Sequence, residues 1–327
     1  MRWLQGAVAL ASLSFAFPAF SANNEALQLL ERMSQASHTL NYEGTFVYLL
    51  GGHVESVRIV HGVDAKGEHE RLVTLSGKSR EVIRDNDEVK CFIPDDRIVQ
   101  VDKAGRNLAL SMIKTPELER ITQLYRIEVR GHERVAGREA THVAVVPRDH
   151  FRYGRSYWID DEAGLMLRAD MVDEHGKLVE QMMFTSISLL DSIPKKSLVP
   201  ENSVKDFIVV KPADTQTQTG DIEGATWEAS ALPPGFELEL LRHLTLKGRP
   251  GPVEHHIYSD GLASVSVFVE PPSNHEREFI GHSRIGAVNA YARRAGESRV
   301  VVVGEVPALT VEHIADAMRP RVVEPKP

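Results

Sequence analysis

Four segments of the chain, 64–67, 102–105, 161–164 and 173–176, repeat the pattern Asp-x-x-Gly between runs that alternate apolar and polar residues. In each, the Asp side chain can close a turn, and the Gly can take the positive φ that other residues avoid. Loops of this kind join neighbouring strands as hairpins, so they commit the chain to antiparallel pairing. The period-two runs around them fall at 45–50, 54–63, 68–75, 81–83, 89–93 and 98–101. A second series covers 125–129, 140–147, 154–159, 165–172 and 177–188. As calcium loops the four segments fail, because alternating oxygen ligands, a central Gly and a distal Glu are missing.

A long antiparallel meander needs cover on one face. Two helical stretches are placed to supply it. Asn23 or Asn24 can cap a helix running to about Ser37, with Leu27, Leu30, Met33 and Ala36 on one stripe. The strand pattern breaks between Leu108 and Tyr125, where Thr115-Pro116 reads as a cap followed by Pro at the first helical position. Leu118, Ile121 and Leu124 then share a face. If these helices plug an incompletely closed barrel, its concave side is an apolar cavity. If they only pack on it, the space is filled.

Upstream of the first helix, Met1 to Ala22 read as a secretory signal peptide. Arg2 precedes an apolar run, Ala7 to Phe17, and a cut after Ser21 satisfies the small-residue rule. No later run approaches the ~18 apolar residues of a span. Export would permit disulfides, yet Cys91 is the only cysteine in 327 residues, so the fold rests on its core. Val89, Cys91 and Ile93 share one strand face, which predicts a buried, inert thiol.

The stretch from Pro194 to about Ile222 loses periodicity and gathers Pro and polar residues, as a linker does. A second unit follows. The turn Leu232-Pro-Pro-Gly-Phe236 leads to strands at 237–244, 253–259 and 262–270, then 284–291 and 298–303, and a closing helix at 308–318. Pro320, Pro325 and Pro327 predict a frayed end. The divisions are therefore 1–21 signal peptide, 22–205 N-terminal domain, 206–225 linker, 226–318 C-terminal domain and 319–327 flexible tail.

Charge and motifs narrow the function. A formal net charge of −8 disfavours nucleic acid and gives no general attraction to anionic lipid heads. There is no G-x-S-x-G, H-E-x-x-H, Gly-rich phosphate loop or dinucleotide fingerprint. His255 and His256, beside Glu254, are neighbours on a strand and face opposite sides, so no metal site is assigned. No cofactor is implied, and a binding protein outweighs an enzyme such as an esterase.

Three places read as contact surfaces. The stripe Leu27, Leu30 and Met33, with Phe46 and Tyr48 opposite, either lines a lipid-sized cavity or fills an ordinary core. Arg284, Arg293, Arg294 and Arg299, with only Glu297 among them, form a basic stretch. It either receives an acidic partner or lipid phosphate, or is solvated surface. The third is Arg152-Tyr153 with Tyr157-Trp158, an aromatic and basic mixture.

Longer stretches carry a resemblance. The segment from Tyr258-Ser-Asp260 through Val-Glu-Pro271, then Val302-Val-Gly-Glu-Val-Pro307, with Trp227 and Leu232 to Phe236, closely resembles the C-terminal domain of the MucB/RseB family. Gly44-Thr-Phe-Val-Tyr48, Val135 to Arg138, Pro147 to Asp149 with Arg152-Tyr-Gly154, and Leu178 to Gln181 resemble its N-terminal domain. The resemblance implies a mainly β fold with some α: a LolA/LolB-like unclosed antiparallel β-barrel with helices at its mouth, plus a smaller α+β C-terminal domain. It also implies a periplasmic regulator without catalytic activity, peripheral to the inner membrane through its partner, with self-association as an option. The partner is the periplasmic domain of a MucA/RseA-type transmembrane anti-sigma factor, shielded from a site-one protease until a lipid or lipopolysaccharide-like signal of envelope stress loosens the complex. In MucB-like members the output includes exopolysaccharide genes. Lipid-contact candidates are then Leu27, Leu30, Met33, Phe46, Tyr48, Leu118 and Ile121. Partner-contact candidates are Arg284, Arg293, Arg294, Arg299, Tyr258 and Asp260. The alternative is a periplasmic lipid or lipoprotein carrier of LolA type.

Overall fold

The computed structural model describes residues 19–103, 118–200, 207–210, 218–219, 225–245, 251–271 and 279–321. Residues 1–18 of the expected signal peptide, and the expected helix start at Thr115-Pro116, lie outside them. Helix α1 (Ala19–Thr39) begins upstream of the expected Asn caps and runs through them. Its buried stripe is Ala26, Leu30, Met33 and Ala36, spaced at three and four residues as an amphipathic helix requires. Leu27 sits on the shoulder of that stripe, partly buried.

The first meander is β1 (Asn41–Leu50), β2 (His53–Asp64), β3 (Gly67–Thr74), β4 (Glu81–Asp85), β5 (Glu88–Ile93) and β6 (Ile98–Lys103). Helix α2 (Leu118–Leu124) leads into β7 (Tyr125–Val135), β8 (Arg138–Pro147), β9 (Gly154–Asp160), β10 (Met166–Val172) and β11 (Leu178–Leu190). Strand β11 returns to pair with β1, so the two meanders join in one twelve-stranded sheet, with β12 (Ile208–Val210) and β7 at its edges. Among the described residues the sheet is not closed by hydrogen bonds. Its concave side is covered by α1, which packs on β7 and β8, and by α2, which packs on β7. This is the unclosed antiparallel barrel with helical cover that the resemblance implies.

The turn chemistry holds as expected at two of the four Asp-x-x-Gly segments, 64–67 and 173–176. Asp64 Oδ1 accepts the Lys66 N–H at 2.7 Å, and Asp173 Oδ1 accepts from His175 and Lys177. At 161–164 the closing carboxylate is Asp160, one residue earlier than expected; its Oδ1 accepts from Glu162 and Ala163. Asp102 lies at the end of β6, opposite Val89, and the Ala104-Gly105 half of that segment lies outside the described residues.

The second sheet runs β13-β15-β16-β17-β20-β19-β18. Its strands are β13 (Gln218–Thr219), β15 (Glu237–Leu244), β16 (Val253–Ser259), β17 (Ser264–Glu270), β18 (Gly281–Ile285), β19 (Val288–Ala295) and β20 (Ser298–Gly304). Helix α3 (Ala308–Ala317) packs on β19 and β20. A separate pair joins β14 (Trp227–Ala229) to β21 (Met318–Pro320). The core here is Val-rich, with Val265, Val267, Val300 and Val302 fully buried beneath Val311 and Ile314 of α3.

Several expectations need correction. Residues 206–225 are not wholly irregular: Ile208-Val-Val210 is β-branched and adds to β6 in parallel, and Gln218–Thr219 pairs with β15. The single strand expected at 284–291 is a hairpin, because Gly286 (φ +60) turns the chain between β18 and β19. The expected tail does not fray at once, since Arg319 and Pro320 pair with β14 and Arg319 meets Glu228 at 3.1 Å. Phe92, not Cys91, is the buried residue of β5; Cys91 is half-buried on the other side. Cys91 lies opposite Val82 and Phe92 opposite Glu81 and Val99, so the two face opposite sides of the sheet and only the Phe92 side is closely covered.

Candidate functional site

Much of the concave face of the first sheet is one apolar cluster. It joins Leu30 and Met33 of α1, Ile121 of α2, Phe46 of β1, Ile59 of β2, Ile127 of β7, Val143 of β8 and Phe184 of β11, all at most 7% exposed. Phe46 and Phe184 meet edge to face at 5.7 Å, a favoured aromatic geometry. Gly44 lets β11 approach: a Cβ there would lie 2.6 Å from the Ser186 carbonyl oxygen and 2.9 Å from the Phe184 ring. Tyr48 is half-buried and donates its hydroxyl to Glu180 Oε1 at 2.7 Å. Of the seven lipid-contact candidates, the structure thus brings Leu27, Leu30, Met33, Phe46, Tyr48 and Ile121 together. The Leu118 side chain lies outside the described residues.

Helix α2 faces two ways. Ile121 enters the concave core, while Arg120 donates to the carbonyls of Gly235 at 2.6 Å and Ser259 at 2.9 Å and pairs with Glu237 at 3.2 Å. Leu124 packs on Gly235, whose φ of +78 closes the Pro233-Pro-Gly-Phe236 turn. A Cβ at Gly235 would come 2.5 Å from Leu124 Cδ1, so both the turn and the contact select glycine.

Beside this lies a buried charge. Arg152, with a fully buried side chain, reaches Asp260 at 3.3 Å and Asp149 at 3.4 Å. It also donates to the Pro234 carbonyl. Its guanidinium lies 5.5 Å from the Tyr125 ring centre and 5.2 Å from that of Phe236, so one aromatic from each sheet region clasps the cation. Asp260 is fully buried; its Oδ1 accepts from Leu262 and Ala263, and its Oδ2 accepts the Tyr125 hydroxyl at 2.8 Å. Burial, reinforced by Asp260, pushes the Tyr125 phenol well above its ordinary range. A neutral, donating Tyr125 follows.

The rest of the 147–154 segment also crosses to the second unit. Thr310 donates to the Phe151 carbonyl at 2.7 Å, and Asn289 Nδ2 donates both to the Tyr153 hydroxyl and to the Val306 carbonyl. The β1–β2 tip meets the β18–β19 turn through Leu50, Gly51 and Gly286.

The partner-contact candidates do not form one surface. Arg293 donates to the carbonyls of Ala315 and Met318 and pairs with Asp316, capping the end of α3, where cations are favoured. Arg299 is held by Glu270 at 2.8 Å. Arg294 is exposed and lies opposite Arg299 in register, whereas Arg284 is exposed several rungs away on β18. Tyr258 is 3% exposed and Asp260 is buried at the junction, so neither is a surface contact. Arg152 was legible as part of a basic and aromatic group, but its burial was not. Arg120 carried no signal, and Phe236 was legible only as the end of the 232–236 turn and of the resembling segment.

His255 and His256 do face opposite sides: His255 stacks on Phe268 at 4.2 Å, and His256 reaches Glu254 at 2.6 Å. Glu254 also accepts from the Thr226 hydroxyl and the amides of Thr226 and Trp227. This network ties the start of the second unit to β16.

Fold and junction together define a two-part, β-rich binding scaffold, one part with an apolar concave face and the two locked by a buried arginine. The MucB/RseB N-terminal domain model matches residues 25–202, and the MucB/RseB C-terminal domain model matches residues 221–319. The sigma-E factor regulatory protein RseB of Haemophilus influenzae is 30% identical over 317 residues, 94% of this chain and 96% of its own length. The sigma factor AlgU regulatory protein MucB of Pseudomonas aeruginosa is 32% identical over 309 residues, 92% of this chain and 93% of its own. A chain of the solved Pseudomonas aeruginosa MucA/MucB complex superposes with a TM-score of 0.72 at 28% identity, covering 91% of this chain and all of that one. The chain belongs to the MucB/RseB family of sigma factor regulatory proteins.

Proposed function

We propose that this protein works in the periplasm, binds the periplasmic part of a MucA/RseA-type anti-sigma factor, shields it from site-one proteolysis and releases it when an amphipathic lipid enters the concave face. It acts by binding and catalyses nothing. Residues 22–205 and 226–318 are its two folding units. The partner class follows from the relatives, one of which is solved as MucB in complex with the periplasmic part of MucA.

The observation that carries the lipid-controlled reading is the double role of α2. Ile121 belongs to the apolar cluster, and Arg120 and Leu124 hold the second unit. A ligand that displaces Ile121 therefore disturbs the same helix that positions the C-terminal unit, which makes two arrangements of one packed element available for selection.

The test is a complex of the full chain with the periplasmic fragment of a MucA-type anti-sigma factor, followed by protease protection during titration with single-chain lipids of increasing length. Protection should fall as chain length rises, and Arg120→Ala should release the fragment at lower lipid concentration. Release independent of chain length overturns the cavity mechanism. Capture of lipoproteins in place of the anti-sigma fragment would favour the LolA-type carrier.

A further inference from the structure

One row of side chains on the concave face breaks its apolar character. Register places Tyr42 of β1 opposite His61 of β2, His61 opposite Glu70 of β3, and Glu70 opposite Arg84 of β4. The next row on the same face is Gly44, Ile59, Leu72 and Val82, followed by Phe46 and Val57. The face is therefore amphipathic along the strands: a polar row at one end and an apolar surface directly beside it.

The end of α1 closes over the polar row and leaves a pocket lined by Ser37, His38, Tyr42, His61, Glu68, Glu70 and Arg84. Most groups there have partners. Glu68 meets Arg84 at 2.9 Å and His38 at 2.6 Å, and His61 Nδ1 lies 2.8 Å from the Leu40 carbonyl. Tyr42 stacks on the His61 ring at 4.9 Å. Glu70 is the exception: it is 4% exposed, and its Oε1 has no hydrogen-bond partner. A buried acceptor left empty is costly. Burial outweighs the opposing charge of Arg84 and, with a smaller contribution from Glu68, pushes its carboxyl up to about 7, so the group is poised to ionise for a cationic donor.

We propose that this row is a headgroup site for an amine-bearing amphiphile, the primary ammonium donating to Glu70 and the acyl chain directed toward the row of Ile59, Leu72 and Phe46, which is packed until the helical cover moves. The proposal rests on the lipid reading above and specifies its ligand chemistry. A lipid is favoured over a lysine side chain of a peptide because the apolar rows begin two residues from Glu70 and His61 on their own strands. Three N–H donors suit an empty carboxylate oxygen, whereas a trimethylated ammonium has none to give.

The experiment measures binding of the full chain to three lysophospholipids with the same acyl chain and ethanolamine, choline or glycerol heads. The ethanolamine lipid should bind about tenfold more tightly than the other two, and Glu70→Gln should level the three. The choline comparison uses unaltered protein, so it stands even if the variant folds poorly. Equal binding of all three lipids, or a preference that survives Glu70→Gln, overturns the headgroup site and leaves the lipid reading intact. Binding of none overturns both. A lysine-rich peptide that occupies the site in a Glu70-dependent way, with no lipid competing, assigns the pocket to a peptide and overturns the proposal.

Discussion

Replacing Asp260 by Asn should loosen the junction between the two units. The substitution keeps the shape, and the Asn carbonyl still accepts from the Leu262 and Ala263 amides. Its amide group, however, then points N–H donors at Arg152, itself a donor. That leaves a guanidinium with a fully buried side chain paired only with Asp149 at 3.4 Å and the Pro234 carbonyl. Breaking one side of a buried ion pair typically costs about 3–5 kcal/mol. The two clasping rings retain about 0.5–2 kcal/mol of cation–π attraction, which places the net loss near the lower end. Adding Arg152→Met removes the stranded charge and puts a flexible apolar side chain between Tyr125 and Phe236. The double variant should therefore recover about 1 kcal/mol or more over Asp260→Asn alone. Urea unfolding reads the energies, and limited proteolysis reads the loosened junction. A single-variant loss below about 1 kcal/mol, or a double variant no better than additive, would refute the role assigned to the pair.

Glu254 is held down to about 2 by hydrogen bonds from His256 and Thr226, which outweigh the opposing effect of its burial. Because the folded value lies below the unfolded one, its stabilisation is present above about pH 4.5 and is lost as pH falls toward about 2. Glu254→Gln should cost about 2–3 kcal/mol at neutral pH and flatten the acid limb of a urea-midpoint profile. Glu70 behaves oppositely: burial raises its folded value to about 7, so it takes up a proton on folding and stability declines as pH rises through that range. Glu70→Gln should be nearly neutral near about pH 4 and stabilising by about 1–3 kcal/mol near about pH 8, a difference that thermal melts at the two pH values would expose. Cys91 is half-buried, and that burial raises its thiol. It should label more slowly in the native protein than in urea, and equal rates would contradict this.

Hairpins were the legible part of the fold because they are local. An Asp that closes a turn on amides two to four residues away leaves its mark in consecutive positions, as at Asp64 and Asp173. The apolar stripe of α1 and the inward residues of β1 were legible for the same reason. What the chain does not announce is pairing at long separation. Arg152 and Asp260 are 108 positions apart, and nothing near either residue distinguishes a buried arginine from a solvated one. The basic stretch Arg284 to Arg299 was partly legible: Arg294 does lie opposite Arg299, with Arg293 beside it, but spacing alone did not show where each guanidinium turns. Arg293 turns to the helix α3 carbonyls and Arg299 to Glu270, while Arg284 lies several rungs away.

Lipid control, as proposed, must contend with a concave face that is already packed. Moving a two-state equilibrium from mostly bound to mostly released needs a ligand that favours the released form by about 5.5 kcal/mol. At about 0.8 kcal/mol per buried methylene, that difference corresponds to about seven methylenes seated only in the released form. A chain that merely exchanged places with Leu30, Met33 and Ile121 would gain nothing, because the displaced side chains would lose comparable contacts. The gain has to come from apolar surface that is exposed once α2 has moved. Helix α2 is suited to that part: it is seven residues long, and on the C-terminal side it is held by Arg120, by Leu124 and by the adjoining Tyr125 hydroxyl on Asp260. The same contacts that fix the second unit in the closed arrangement thus set how much acyl chain is needed to open it.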